Sequence, residues 1–328
     1  MSAHDRKVLI LGANGRFGHA AALAFAAAGW QVLAQVRRAS ALSAQGVRYL
    51  RTPLTDTAAL TAQARGVRAV VHAVNPPYTD WPAQVLPLAR LGMDVAQQLG
   101  ATFMLPGNVY NFGAAMPAVL TESTPEAATT AKGRIRSELE AEMKARAAGG
   151  LKGVVLRAGD FFGAGQGNWF DLAITKSLAR GKLVYPGPLD VPHAWAYLPD
   201  FARAFVAVAE QPAAAAFERL HFEGFTLTGL ELLEGIAAAA AKLGLRPAHS
   251  FAHSSMPWRL IRFGGLVKPM WRELAEMAYL WQRPHALSGT LLQQRVGALP
   301  CTPPALALQR SLVDMGLAAP PRAAAATA

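Results

Sequence analysis

Cysteine is nearly absent from the chain, with Cys301 the one thiol in 328 residues. A lone cysteine excludes an internal disulfide, and no CxxC pair or Cys/His ligand set is present, so no metal site is expected and a reducing compartment fits. Charge is also scarce. It makes up 16% of residues against about 25% in ordinary globular domains, while apolar residues reach 52%. That balance excludes global disorder and allows a sizeable core. No stretch of 18 charge-free apolar residues occurs, and the apolar run after Lys7 breaks at Gly12, too short for a signal peptide. A cytoplasmic chain is the expectation. Acids are the scarcer sign, 21 Asp+Glu against 32 Lys+Arg, leaving +11, a field that attracts phosphates, carboxylates or nucleic acid.

The length suggests about two domains, or one α/β domain with a small lobe. Val8-Leu9-Ile10-Leu11 reads as a strand buried on both faces, and Phe17, Ala21, Phe25 and Ala28 then recur at helical spacing up to Gly29. Further strands are predicted at 31–36, 47–50, 69–74, 102–105 and 154–156, separated by helix-length segments. This alternation predicts an α/β fold with a doubly wound parallel sheet of Rossmann type. Past Gly163 the rhythm changes to Gly/Pro turns and helices without buried strands, including a capping box at Thr228-Gly229-Leu230-Glu231. The expected division is a nucleotide domain of 1–165 plus about 196–225. A substrate lobe would take 166–195 and 226–315, and 316–328 a flexible tail.

Gly12-Ala13-Asn14-Gly15-Arg16-Phe17-Gly18 joins the first strand to its helix. Gly12 suits a tight turn, Gly15 lets backbone approach a pyrophosphate, and Gly18 allows close helix–strand packing at a helix N-terminus that favours anions. This GxxGxxG spacing resembles that of the extended and atypical short-chain dehydrogenase/reductase superfamily. Four later stretches resemble it in order: Val109-Tyr110-Asn111-Phe112-Gly113, Leu156-Arg157-Ala158-Gly159-Asp160-Phe161-Phe162-Gly163, Trp195 to Ala204 with Asp200, and Leu299-Pro300-Cys301-Thr302-Pro303. The resemblance covers the chain to about residue 310 and implies a nicotinamide cofactor. After the second strand, where an NAD site places Asp or Glu, this chain has Gln35-Val36-Arg37-Arg38. Arginine suits bidentate contact with a 2′-phosphate, so NADP(H) is the expected form, with Arg16 as a second clamp.

The superfamily's machinery, a Ser or Thr plus a Tyr-x-x-x-Lys pair, is missing. Pro106 replaces the serine, and aligning Glu140 with the family's helix glutamate puts Lys132 at the tyrosine and Arg136 at the lysine. Lys132-x-x-Ile135-Arg136-x-x-x-Glu140 resembles the lysine-bearing helix of members related to isoflavone reductase and the NmrA-like regulators. By that resemblance Lys132 is the candidate acid or base, its pKa lowered by a nearby nicotinamide, or it hydrogen-bonds the nicotinamide ribose alone. Tyr110 offers a phenol to the pocket, or is a plain buried aromatic. Asn14, Phe17 and Asn75 are further cofactor contacts, and Tyr78, Trp81, His193, Tyr279 and Trp281 are candidate pocket walls, the helix-spaced aromatics being equally readable as core.

Two main function classes fit. One is NADPH-dependent reduction of a small hydrophobic or aromatic carbonyl or enone, with Lys132 as proton donor. The other is a redox-sensing NADP binder of NmrA type that has lost catalysis, and sugar-nucleotide epimerase or dehydratase chemistry stands as a further alternative. The partner expected is a small-molecule substrate, with no nucleic acid and no membrane, in a monomer or homodimer. The basic residues Arg16, Arg37, Arg38, Lys132, Arg134, Arg136 and Arg157 are expected to border the cleft as an electrostatic funnel.

Overall fold

The computed structural model describes residues 6–38 and 44–319, so the predicted tail 316–328 lies outside the described residues from 320 onward. The first half runs β1 (Lys7–Leu11), α1 (Arg16–Ala27), β2 (Gln31–Gln35), β3 (Val47–Leu50), α2 (Thr57–Gln63), β4 (Ala69–His72), α3 (Trp81–Leu99) and β5 (Thr102–Gly107). Then come β6 (Val119–Leu120), α4 (Ala131–Ala147), β7 (Lys152–Arg157), β8 (Asp160–Phe162), β9 (Lys182–Tyr185), β10 (Pro192–Tyr197), α5 (Leu198–Glu210) and β11 (Phe217–His221). The rest is β12 (Phe225–Thr228), α6 (Gly229–Lys242), β13 (Ala252–Ser255), α7 (Trp258–Gly264), α8 (Pro269–Glu276), β14 (Ala286–Leu287), α9 (Thr290–Val296) and α10 (Pro304–Asp314).

Seven strands form one sheet in the order β3-β2-β1-β4-β5-β7-β11, and every pairing is parallel. Strand order reverses at β1, between β2 and β4, which opens a crevice at the carboxyl ends of these strands. Alternate residues of β1 feed opposite cores. Leu9 and Leu11 join Val70 and the inner faces of α3 and α4, while Val8 and Ile10 join Val71, α1 and α5. This Rossmann-type sheet is the one that the strand rhythm predicted.

Two departures from that rhythm are instructive. Edge strand β11, Phe217-Glu218-Arg219-Leu220-His221, escaped prediction because its adjacent charges Glu218 and Arg219, which an edge position permits, leave no continuous apolar run. The residues past Gly163 also contain strands, where turns and helices without buried strands were expected, and they pair with short strands that precede it. β8, β10 and β12 form a three-stranded sheet, and β9–β13 and β6–β14 are two-stranded pairs. Phe162, Phe170, Tyr185, Trp195, Tyr197, Phe225 and Trp281 fill the core around them, so aromatics there replace the β-branched residues that signal strands elsewhere.

One buried ionic cluster ties α4 to the sheet. The Arg157 guanidinium, at the end of β7, makes two bonds to the Glu140 carboxylate at 2.8 and 2.9 Å and donates to the Asn111 side chain and the Asn108 carbonyl. Glu140, fully buried, also accepts from Arg219 on β11 and from Asn111. Glu126 lies 3.2 Å from Arg219, so two cations meet two anions. Arg157 is therefore a structural cation and not part of a funnel around the cleft. Among the described residues no helix is long and apolar enough to cross a membrane, and no cluster of three His, Cys, Asp or Glu fits a metal.

Two expectations follow from this burial. Glu140→Ala leaves two guanidinium groups without their carboxylate and is expected to cost about 3–5 kcal/mol in urea unfolding. Burial also holds the imidazoles of His72, His221 and His285 at about 3, about 4 and about 3. In the unfolded chain each takes up a proton near 6.5, so the unfolded state binds more protons below that value. Stability is complete above pH 6.5 and is lost as pH falls toward 4, by up to about 1.4 kcal/mol per pH unit for each histidine. Equal urea midpoints at pH 7 and pH 5 would contradict this.

Candidate active site

The glycine turn lies at the carboxyl end of β1, against the end of β4. Gly12 has φ +78°, which favours glycine, and a Cβ there would sit 3.1 Å from the Ala73 backbone. A Cβ on Gly18 would come 2.5 Å from the Gly12 carbonyl oxygen and 2.8 Å from Ala13 Cα, so α1 closes on the turn only because this residue has no side chain. Gly15 caps α1 in extended conformation with its own side bare, leaving the helix N-terminus open to an anion. Gln35, buried at the end of β2, braces the turn. Its Oε1 accepts from the Gly12 N–H at 3.2 Å and its Nε2 donates to the Thr52 carbonyl at 3.0 Å.

Arg16 sits in that turn with Nε and Nη1 buried and without a hydrogen-bond partner. Burial lowers its pKa, and the carboxylates of Asp171 and Asp160 oppose the shift. A guanidinium edge of this kind beside a glycine turn fits a phosphate group. Asn14 Nδ2 donates to the Arg38 carbonyl at 3.1 Å, which ties the turn to exposed Arg37 and Arg38. Three arginines thus stand beside the glycine turn, Arg37 and Arg38 of them exposed.

Lys132, Arg136 and Glu140 recur every four residues along one face of α4, so anchoring Glu140 in the sheet aims the other two at the crevice. Arg136 Nη1 donates to the Pro106 carbonyl at 3.4 Å, and its guanidinium lies 4.8 Å from the Trp81 ring centroid. Burial lowers the pKa of this arginine, with the Tyr110 and Glu140 charges opposing. Lys132 is buried. Its Nζ donates to Glu273 and, at 2.5 Å, to Glu276, both on α8. Glu276 also accepts from the Ala131 N–H at 2.6 Å, a carboxylate at the positive end of α4. The ammonium lies 5.2 Å from the Tyr78 ring centroid, and the Tyr78 and Tyr110 hydroxyls are 2.9 Å apart. Burial raises the pKa of both phenols, Tyr110 well above its ordinary value, which suits hydrogen-bond donation rather than proton abstraction.

Of the other sequence candidates, Tyr279 lines a cleft of about 350 Å³ with Trp258, Arg262, Glu276, Arg283 and Ala114. Trp81 does not wall it. Its indole N–H donates to the Pro76 carbonyl at 3.1 Å, and the ring is packed beneath Tyr78 and Arg136. Trp281 is also core, stacked 4.3 Å from the His193 ring. His193 Nε2 meets Asp160 Oδ2 at 2.9 Å, and Nδ1 is buried without a partner. Asn75 is exposed beyond β4, and Phe17 packs on Phe201 and Phe205 at the far side of the turn. Of the expected funnel, Arg157 and Lys132 are neutralised by carboxylates and half-buried Arg136 packs over the Trp81 ring, which leaves Arg16, Arg37, Arg38 and exposed Arg134. Sequence reasoning missed Glu273 and Glu276. Their i, i+3 spacing, immediately after a long acid-free stretch, was the available signal.

The sequence matches the NAD dependent epimerase/dehydratase family over residues 8–220. The chain belongs to this family. Comparison with curated proteins gave no match. Among solved structures, a candidate epimerase from Burkholderia cenocepacia J2315 is 21% identical with TM-score 0.71, covering 95% of this chain and 99% of its own. MoeE5, in complex with UDP-glucose and NAD, is 18% identical with TM-score 0.70 and coverages of 94% and 98%. UDP-N-acetylglucosamine 4-epimerase from Bacillus cereus is 13% identical with TM-score 0.73 and coverages of 94% and 99%. At these identities the likeness is one of fold. Within that fold, this chain carries its glycine turn after β1, Pro106 in β5 and Lys132 in the first turn of α4.

Gly18→Ala tests the turn. The added Cβ meets backbone that cannot yield, so affinity for a nicotinamide dinucleotide, measured by fluorescence titration, is expected to fall at least about tenfold. Unchanged affinity would place the phosphates elsewhere.

Proposed function

We propose that this family member is an NADP(H)-dependent oxidoreductase acting on a small hydrophobic or aromatic carbonyl or enone. The observation that carries the reading is Lys132, held at the crevice on the same α4 face as Glu140, where the superfamily resemblance expects a tyrosine. MoeE5 holds NAD, whereas this chain offers no acid after β2 and has Arg16, Arg37 and Arg38 beside its glycine turn. Those three residues would hold the phosphates, including one at the 2′ position, and Gly12, Gly15 and Gly18 would let them approach. When bound, such a dinucleotide supplies a hydride.

This chain's residues supply the proton side. The Lys132 ammonium carries transferable protons, and Glu273 and Glu276 hold it in one orientation. The Glu276 side chain is 26% exposed and links that amine to solvent, so a proton given up at Nζ is replaced through it. Tyr78 and Tyr110, kept protonated by burial, can direct one hydroxyl to a carbonyl oxygen while the other holds the pair in line. Trp258 and Tyr279 offer aromatic faces to the 350 Å³ cleft, which Arg262, Glu276, Gln282 and Arg283 also line, so an aromatic substrate with a polar group fits. The second reading is an NADP-binding sensor without turnover, and the double carboxylate clamp on Lys132 favours it.

Calorimetry is expected to give tighter binding of NADP than NAD, with Arg37→Ala weakening NADP about tenfold and leaving NAD unchanged. NADPH consumption across a carbonyl panel is expected for the wild type, and Lys132→Ala should lower kcat about 10²–10⁴-fold. NADPH binding without consumption of any carbonyl would move the sensor reading to first place, and equal binding of NAD and NADP would remove the 2′-phosphate assignment.

A further inference from the structure

The helical hairpin α7–α8 carries an apolar tip that the reading above does not use. Phe263, Leu266 and Val267 are 74%, 82% and 84% exposed, and Leu260 and Met270 flank them at 58% and 42%. Five of the large exposed apolar side chains thus fall within eleven residues, whereas such side chains are otherwise scattered along the chain. The hairpin is folded, not frayed. Ile261 is buried, and a Cβ on Gly264 would lie 2.2 Å from the Trp271 ring, so that ring seats on Gly264 and closes the turn beneath Leu266 and Val267. Contiguous apolar surface on a folded element marks a docking face.

Its charge selects the occupant. Exposed Arg259, Arg262, Lys268 and Arg272 surround the tip, and no acidic residue occurs between Glu234 and Glu273. The Lys268 ammonium lies 4.9 Å from the Trp271 ring, a cation and an indole together at the rim. Arg272 meets Glu273 at 3.6 Å, but that arginine is 70% exposed and the pair neutralises little. Two copies meeting face to face would bring basic collar against basic collar, in a chain already at +11. We infer that the α7–α8 hairpin docks on an anionic lipid surface, its apolar tip in the acyl boundary and its basic collar at the headgroups. An indole at the rim suits that boundary, and attachment of this kind needs apolar area together with positive charge. The sequence expectation of no membrane partner rested on the absence of a spanning run and on basic residues assigned to the cleft. Spanning is a different requirement from lying at the interface, and the fold gathers residues 259–272 into one collar and tip. Helix α8 presents Met270 outward and the carboxylates of Glu273 and Glu276 to Lys132 inward, so the docking face and the candidate site share one short helix.

Flotation of the full-length chain with vesicles tests this without any assay of turnover. The wild type is expected to float with phosphatidylcholine vesicles containing phosphatidylglycerol and to remain in solution with phosphatidylcholine alone. The double variant Leu266→Asp, Val267→Asp is expected to bind the anionic vesicles at least tenfold more weakly with an unchanged thermal midpoint. Arg259→Glu with Lys268→Glu, which leaves the tip intact, should lose binding to a similar extent. Failure of the wild type to float, or equal binding by the Asp double variant, would overturn the proposal. So would sedimentation showing a wild-type dimer that either double variant dissolves, since that would make a second copy the occupant.

Discussion

The fully buried Glu140 carboxylate, bonded to Arg157 and Arg219, is the interaction on which the arrangement of this molecule depends. A carboxylate in such a place is tolerated only when cations and amide donors saturate it, and these come from the end of β7, the middle of β11 and Asn111 after β5. Three neighbouring strands and α4 are therefore locked together at the carboxyl edge of the sheet. Because α4 places Lys132, Arg136 and Glu140 one turn apart on one face, fixing Glu140 fixes the other two.

The candidate site is built by both parts of the chain. Early residues supply the glycine turn, Tyr78 and Tyr110, and residues after 260 supply the two carboxylates that grip Lys132. Arg16, Arg136 and the Tyr78–Tyr110 pair are all held away from bulk water, where charge and hydrogen bonding are stronger than at the surface. Buried Lys132 and Tyr110 and half-buried Tyr78 and Arg136 thus form a polar cluster that an apolar core alone would not produce.

The excess positive charge is divided between two settings. Near the crevice much of it is matched, Arg157 and Arg219 by Glu140 and Glu126, and Lys132 by Glu273 and Glu276. Unmatched charge collects at the glycine turn and after β2, and again around the α7–α8 hairpin. Net charge read from composition cannot make that distinction, since it counts a buried paired arginine and an exposed unpaired one alike.

The sequence alone determined the sheet and the glycine turn, because both rest on local chemistry: buried parallel strands read as continuous apolar runs, and Gly12, Gly15 and Gly18 meet backbone closely within one turn. Lys132 and Glu140 were singled out by the family resemblance of their helix, and the structure places both on one face of α4. What the tertiary structure decided is each side chain's partner. Lys132 and Glu273 are 141 residues apart, Arg157 and Glu140 are 17, and no local rule pairs either couple. The same holds for Trp81, read as a pocket wall and found under Arg136, and for edge strand β11, whose Arg219 belongs to the Glu140 cluster while Glu218 pairs with Arg295. Burial and ion pairing are properties of what lies across the fold, so they become legible only when the chain has closed on itself.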